Sequence, residues 1–190
     1  MKTILQVEDD PNDVFLFQRA MRKAGVPNPT HVASDGQQAL DYLQGAGKFA
    51  DREQFPLPAL VLLDLKLPYV MGMEVLRWIR QQPGTPMVVV MLTTSSKDED
   101  IAAAYRLGAN GFLVKPSEAS KMEDMVKAIS DFWLTHNTPP QQSYKERGAA
   151  YSLPVRPAGN DMPSTIGTHR EEWRPIPPKQ TYQGSRSSDL

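Results

Sequence analysis

The sequence has no cysteine. That excludes disulfides, thiolate nucleophiles and thiolate metal sites. It also lacks an excess of either charge: 21 Lys and Arg stand against 22 Asp and Glu, a net charge of −1. The basic residues are scattered, so there is no electrostatic footprint for nucleic acid and no direct nucleic-acid partner is expected. No apolar run approaches the roughly 20 residues needed to cross a bilayer, and no membrane partner is expected. Met1-Lys2-Thr3-Ile4-Leu5 enters a strand-like run at once, without the apolar core and small-residue cleavage site of a signal peptide. No Gly-rich phosphate loop follows that first run, which argues against nucleotide binding. These absences point to a soluble, cytoplasmic protein.

What is there divides near Asn137. Residues 138–190 hold eight of the 17 prolines together with many Ser, Gln, Gly and Arg residues. The aromatics in that stretch, Tyr144, Tyr151, Trp173 and Tyr182, are isolated and follow no helical or strand period. Such a segment buries too little apolar surface to offset its ordering entropy, so a disordered tail is expected. Pieces such as Trp173-Arg174-Pro175-Ile176-Pro177-Pro178 favour polyproline II.

Residues 1–137 scan as one domain of five strand–helix units. Strands are expected at 3–7, 30–33, 59–64, 86–92 and 111–114. The first helix has Asp10 as N-cap and Pro11 at its first position, with Val14, Phe17 and Met21 on one face. Capping boxes at Ser34-Asp35-Gly36-Gln37 and Ser96-Lys97-Asp98-Glu99 are expected to open the second and fourth helices. A third covers about 73–81. The fifth starts near Ser117 and carries Met122, Met125, Val126, Ile129 and Phe132. Strict alternation implies a parallel sheet covered by helices on both faces. Sites in such sheets lie outside the carboxyl ends of the strands, beside the switch in strand order.

The chemistry-bearing residues sit at those ends. Glu8-Asp9-Asp10 follows Ile4-Leu5-Gln6-Val7, and Asp64 closes the apolar run Leu60-Val61-Leu62-Leu63. Thr93 and Thr94 close Met87-Val88-Val89-Val90-Met91-Leu92, and Lys115-Pro116 follows Phe112-Leu113-Val114. Glu8, Asp9 and Asp64 would repel one another if all were ionised without a partner. A divalent cation resolves this, and oxygen ligands with open water positions suit magnesium better than zinc. The bland reading is that Glu8-Asp9-Asp10 caps a helix, and Asp10 is expected to do so. Asp64 resists a bland reading, because a carboxylate directly after buried leucines is costly without ligands or a function. A strand-end hydroxyl can donate to a phosphoryl oxygen, and an ammonium can neutralise a transferred phosphoryl group. The proline after Lys115 also admits a cis bond that would aim the lysine across the strand ends. Together these are the makings of a magnesium-dependent phosphoryl acceptor site.

Five segments in register resemble the receiver domain of bacterial two-component response regulators. They are Val7-Glu8-Asp9-Asp10, Leu63-Asp64-Leu65-Lys66-Leu67-Pro68, Leu92-Thr93-Thr94, Gly108-Ala109-Asn110-Gly111-Phe112 and Lys115-Pro116. The resemblance covers residues 1–136 of the 190. It implies a flavodoxin-like (βα)5 sheet of order 2-1-3-4-5. It further implies that Asp64 accepts phosphate from a phosphohistidine on a sensor histidine kinase. Asp9 and Asp64 would ligate Mg2+ with Glu8 assisting and the main-chain carbonyl of Lys66 completing the set. Thr93 and Lys115 would hold the phosphoryl oxygens, and Phe112 aligns with the switch aromatic. Lys66 and Ser95 fall where the family tunes hydrolysis of the acyl phosphate. The long connection Gly45–Pro58, with Val7-Glu8-Asp9-Asp10-Pro11-Asn12-Asp13, resembles the small response regulators that partner bacterial phytochrome kinases. Two departures are Ala59, where many members carry an acid, and the apolar loop Tyr69-Val70-Met71, which bears on partner docking.

The expected function is a phosphorylation switch that turns over no external substrate. Its output surface is the fourth helix, fifth strand and fifth helix, read by a protein partner. Apolar surfaces on the fourth and fifth helices permit a homodimer. A competing reading is a phosphate-independent interaction module with the proline-rich tail as ligand. A hydrolase reading is weakened because Asp64-Leu65-Lys66 lacks a second carboxylate in an Asp-x-Asp pattern.

Overall fold

The computed structural model describes residues 1–82 and 87–138. Five parallel strands, β1 (Ile4–Val7), β2 (Thr30–Ala33), β3 (Leu60–Leu63), β4 (Val88–Thr93) and β5 (Gly111–Val114), form one sheet in the order β2-β1-β3-β4-β5. They alternate with helices α1 (Pro11–Lys23), α2 (Gly36–Gln44), α3 (Gly72–Gln81), α4 (Asp98–Arg106) and α5 (Ala119–Ile129). The order and alternation are those expected from the sequence. Beyond residue 138, the expected tail lies outside the described residues, as do Pro83 and Pro86.

The central strands β3 and β4 read as near-continuous apolar runs because both faces of the sheet are covered. On one face Leu5, Val7, Val61, Leu63, Val89 and Met91 meet Tyr42, Leu43, Val75, Leu76, Ile79 and Ala104 from α2, α3 and α4. On the other, Ile4, Leu60, Leu62, Val88, Val90 and Leu92 meet Phe17, Met21, Met122, Val126 and Ile129 from α1 and α5. Each Val, Leu, Ile, Phe or Met side chain among them, fully buried, contributes about 1.5–3 kcal/mol.

Register is what positions the site. Val7 pairs with Leu63, and Leu63 with Met91. The residues that follow, Glu8 and Asp64, are therefore held level at the carboxyl edge. The Asp64 amide donates to the Val7 carbonyl at 3.1 Å and the Glu8 amide to Ala33 at 2.9 Å. Thr93 pairs with Val114, so the Lys115 amide donates to the Thr93 carbonyl at 2.8 Å.

Several local expectations need correction. The cap of α2 is Asp35, not Ser34: its carboxylate accepts from the Gln38 amide at 2.7 Å, and the Gln38 side chain donates back at 2.8 Å. No reciprocal bond to the Asp35 backbone amide is found among the described residues; the Gln38 side chain instead donates to both the Ser34 hydroxyl and the Asp35 carboxylate. No capping box forms at Ser96; α4 opens after Lys97 without a side-chain cap. Ser95 takes over the polar contact, its hydroxyl donating to Asp100 in the first turn at 2.5 Å. Phe132, which continues the apolar series of the fifth helix, is 56% exposed while Leu134 is buried. The cause is a π-helical turn over Ser130–His136, whose wider winding rotates Leu134 onto the core side.

The long connection before β3 is built rather than loose. A 3-10 turn, Gly47–Phe49, places Phe49 and Phe55 edge-on at 5.2 Å, with Tyr42 and His31 completing an aromatic cluster. Arg52 donates to the carbonyls of Tyr42 (2.8 Å) and Leu43 (2.7 Å) in the last turn of α2, and the Tyr42 carbonyl also accepts from the Gly45 amide at 3.2 Å.

Candidate functional site

Order reverses between β1 and β3, so the crevice at their carboxyl ends is the switch point of the sheet. Glu8, Asp9 and Asp64 meet there, with ligand atoms of all three within 4.8 Å of one another. Glu8 and Asp64 are buried; Asp9 is exposed and leaves the cluster open to water on its side. Asp10 is spent as the expected cap, accepting from the Asn12 amide at 2.8 Å.

Lys115 enters this pocket from the end of β5. Its ammonium contacts Glu8, stands 2.8 Å from Asp13 Oδ2 and lies 3.7 Å from Asp64 Oδ2. No cis peptide bond occurs among the described residues, so the cis Lys115–Pro116 bond that the sequence admits is not used. The side chain reaches the acids by its own length. Burial pushes the Glu8 carboxyl above its ordinary value, and the Asp64 charge pushes the same way, while Lys115 and the Asp10 amide pull it back. Burial pulls the Lys115 ammonium down, but its bonds to Asp13 and Glu8 and the charge of Asp64 carry it up overall. A buried lysine amid three carboxylates stays charged.

Asp64 is fixed by its own backbone. Its Oδ1 accepts from the Leu65 amide at 2.7 Å, which turns Oδ2 toward Lys115. Leu65 and Leu67 are buried and pull the loop inward, leaving Lys66 exposed between them. Val70 packs on the core, while Tyr69 is 89% exposed and takes a left-handed φ of 64°. A Cβ on Gly36, at the start of α2, would stand 1.9 Å from the Val70 carbonyl oxygen, so only glycine lets this loop settle there.

Thr93 is buried and Thr94 exposed, so of the two hydroxyls only that of Thr93 is held inside the protein at the end of β4. Its Oγ1 accepts from the Ser95 amide at 3.3 Å. Ser95, through Asp100, ties this strand end to α4. Phe112 pairs with Met91 and packs, half-buried, against the core on the α2–α3–α4 face.

The donor set fits a divalent cation: three carboxylates offer hard oxygen ligands, and one open side leaves room for water. With an ammonium beside them, the same carboxylates frame a place where an incoming anion would find one carboxylate oxygen and one cation. The partner that sequence reasoning missed is Asp13. Its signal was its place in the first turn of the first helix, at the same edge of the sheet as the strand-end acids.

The chain matches the family described as the response regulator receiver domain over residues 4–127. Response regulator Rcp1 of Synechocystis sp. is 38% identical over 140 residues, covering 73% of this chain and 93% of the relative. The crystal structure of the phosphorylated cyanobacterial phytochrome response regulator RcpA is similar at 37% identity and a TM-score of 0.68, covering 74% of this chain and 99% of that one. The crystal structure of the Mn2+-bound form of Rcp1 is similar at 37% identity and a TM-score of 0.66, covering 74% and 100%.

Proposed function

The chain belongs to the response regulator receiver family, and we propose that within it Asp64 is the phosphoryl acceptor of a two-component switch. One observation carries the reading: Asp64 Oδ2 faces the Lys115 ammonium at 3.7 Å, at the switch point of the sheet and beside two further carboxylates. A carboxylate oxygen of Asp64 attacks the phosphorus of a kinase phosphohistidine. The P–N bond breaks, its electron pair stays on the imidazole, and solvent supplies the proton. Such a transfer asks mainly for positioning and charge neutralisation.

Glu8, Asp9, Asp64 and the main-chain carbonyl of Lys66 would hold Mg2+. That ion, when bound, neutralises the carboxylates and the transferred oxygens. Lys115 neutralises a further phosphoryl oxygen, and the Thr93 hydroxyl donates to another. Lys66 and Ser95 flank the acyl phosphate and set how fast water removes it. No external substrate is turned over.

Drawing Thr93 toward the phosphoryl group would pull on Ser95 and, through Asp100, on α4. Phe112 follows on the neighbouring strand. The phosphoryl group then biases a pre-existing two-state equilibrium of the α4–β5–α5 face. Tyr105 on α4 and Val114 on β5 are exposed on that face, apolar surface for a protein partner or a second copy. The phytochrome regulator among the similar structures and the long connection before β3 support a phytochrome-type histidine kinase in the cytoplasm as phosphoryl donor.

The test is intact mass after incubation with acetyl phosphate and Mg2+. The wild type gains one phosphoryl group, dependent on Mg2+, and Asp64→Asn gains none. Equal gain by Asp64→Asn would overturn the assignment.

A further inference from the structure

Lys115 is shared unequally. Its ammonium is within hydrogen-bond reach of Asp13 and Glu8, while Asp64 lies beyond it at 3.7 Å. Asp13 is not among the carboxylates grouped for a metal. It is the one acid on the lysine that belongs neither to the acceptor nor to the cation cluster.

The two nearer partners differ in what releasing the lysine would cost them. The Glu8 side chain is 3% exposed, so losing its counter-charge leaves a buried carboxylate bare. Asp13 is 30% exposed and sits in the first turn of α1, where water and the helix N-terminus both favour a free carboxylate. Asp13 is therefore the partner that can let go.

We propose that Asp13 is a positioning residue that holds the Lys115 ammonium back from Asp64 until a phosphoryl group arrives. The proposal rests on the Asp64 acceptor reading. The acyl phosphate formed at Asp64 carries one more negative charge than the carboxylate and spreads it over three phosphoryl oxygens, which draws the lysine across and leaves Asp13 to water. Asp13 thus opposes the phosphoryl-bound position of Lys115. In the resting protein it has a second effect. By occupying the ammonium it weakens the lysine's claim on Glu8 and Asp64, the carboxylates a divalent cation needs.

The two effects have opposite signs for the two ligands. Removing the Asp13 charge frees Lys115 for a phosphoryl-like anion. It also lets the lysine settle on the cation cluster, and it removes one negative charge near the cation. Anion affinity rises and cation affinity falls. A merely structural role for Asp13 would weaken both.

The experiment uses the full chain. Mg2+ binding is titrated by calorimetry, and beryllofluoride, a stable phosphoryl mimic, is titrated at saturating Mg2+ in wild type, Asp13→Asn, Asp13→Ser and Asp13→Glu. For the neutral variants, beryllofluoride should bind about threefold to fivefold tighter and Mg2+ weaker by a similar factor, the scale of one ion pair that keeps some contact with water. Asp13→Glu should return toward wild type. In a Lys115→Ala background, Asp13→Asn should leave beryllofluoride affinity unchanged, because the effect runs through the lysine. Unchanged or weaker beryllofluoride binding by both neutral variants overturns the role of Asp13 alone. Failure of the wild type to bind beryllofluoride with Mg2+ overturns the acceptor reading and this inference with it.

Discussion

Gly72 lies against the backbone of Asp64. A Cβ on residue 72 would stand 1.9 Å from the Asp64 carbonyl oxygen, and the Gly72 amide donates to the Leu65 carbonyl at 3.0 Å. The start of α3 thus closes the loop directly onto the acceptor. Neither partner of the 1.9 Å contact is a flexible side chain, so any larger residue must move the loop. Gly72→Ala is expected to cost about 3 kcal/mol of stability, a value at the upper end for single substitutions. It should also lower phosphoryl incorporation. Urea unfolding and intact mass check the two halves separately.

The acidic cluster makes stability depend on divalent ions. Mg2+ at a hundredfold excess over its Kd should add about 3 kcal/mol, read as a rise in Tm, and Asp9→Asn should abolish most of that rise. The rise should shrink as pH falls. Glu8, whose carboxyl is held above its ordinary value by burial, must give up its proton before it can serve the cation. In the metal-free protein the same raised value has the opposite sense: the Glu8 contribution is present below its unfolded value and is lost as pH rises.

Tyr42 gives an alkaline prediction. Its hydroxyl is buried and donates to the Pro56 carbonyl at 2.8 Å, and burial pushes its pKa from 10.0 to about 12, with Arg52 pulling back. A folded value above the unfolded one means full stability below pH 10 and loss as pH rises toward 12. The urea midpoint should therefore fall between pH 10 and pH 12. In Tyr42→Phe this fall should be smaller, at a cost of about 1 kcal/mol at neutral pH.

Gln6 is a fourth test. It lies in the middle of the sheet, 2% exposed, and its Oε1 has no hydrogen-bond partner among the described residues. An apolar residue of similar volume removes the desolvation penalty, so Gln6→Met should stabilise the protein by about 1 kcal/mol. A loss of stability would mean that the amide serves some other purpose.

The sheet was legible in the sequence because strands buried on both faces read as apolar runs, and the acids that end them stand out against leucine and valine. Strand order was legible only through the family resemblance. Helix ends were read less well. Ser34 and Asp35 are both good caps, and the sequence does not say which one the Gln38 amide will meet. Leu134 in place of Phe132 was not legible, since a π turn follows from packing around the helix end rather than from any residue pattern. Within the site, Glu8, Asp64 and Lys115 converge because register sets Val7 beside Leu63. Asp13 escaped notice because its role exists only once Lys115 has crossed from β5 to α1.

The most direct test of Asp64 as acceptor is to locate the phosphoryl group itself. Protein treated with acetyl phosphate and Mg2+ is trapped with borohydride, which reduces an acyl phosphate to the alcohol, then digested and mapped by peptide mass. The account predicts homoserine in place of Asp64 and at no other position. Reduction at Asp9 or Asp13 with Asp64 intact, or a phosphoryl group that survives borohydride on a hydroxyl, would contradict it.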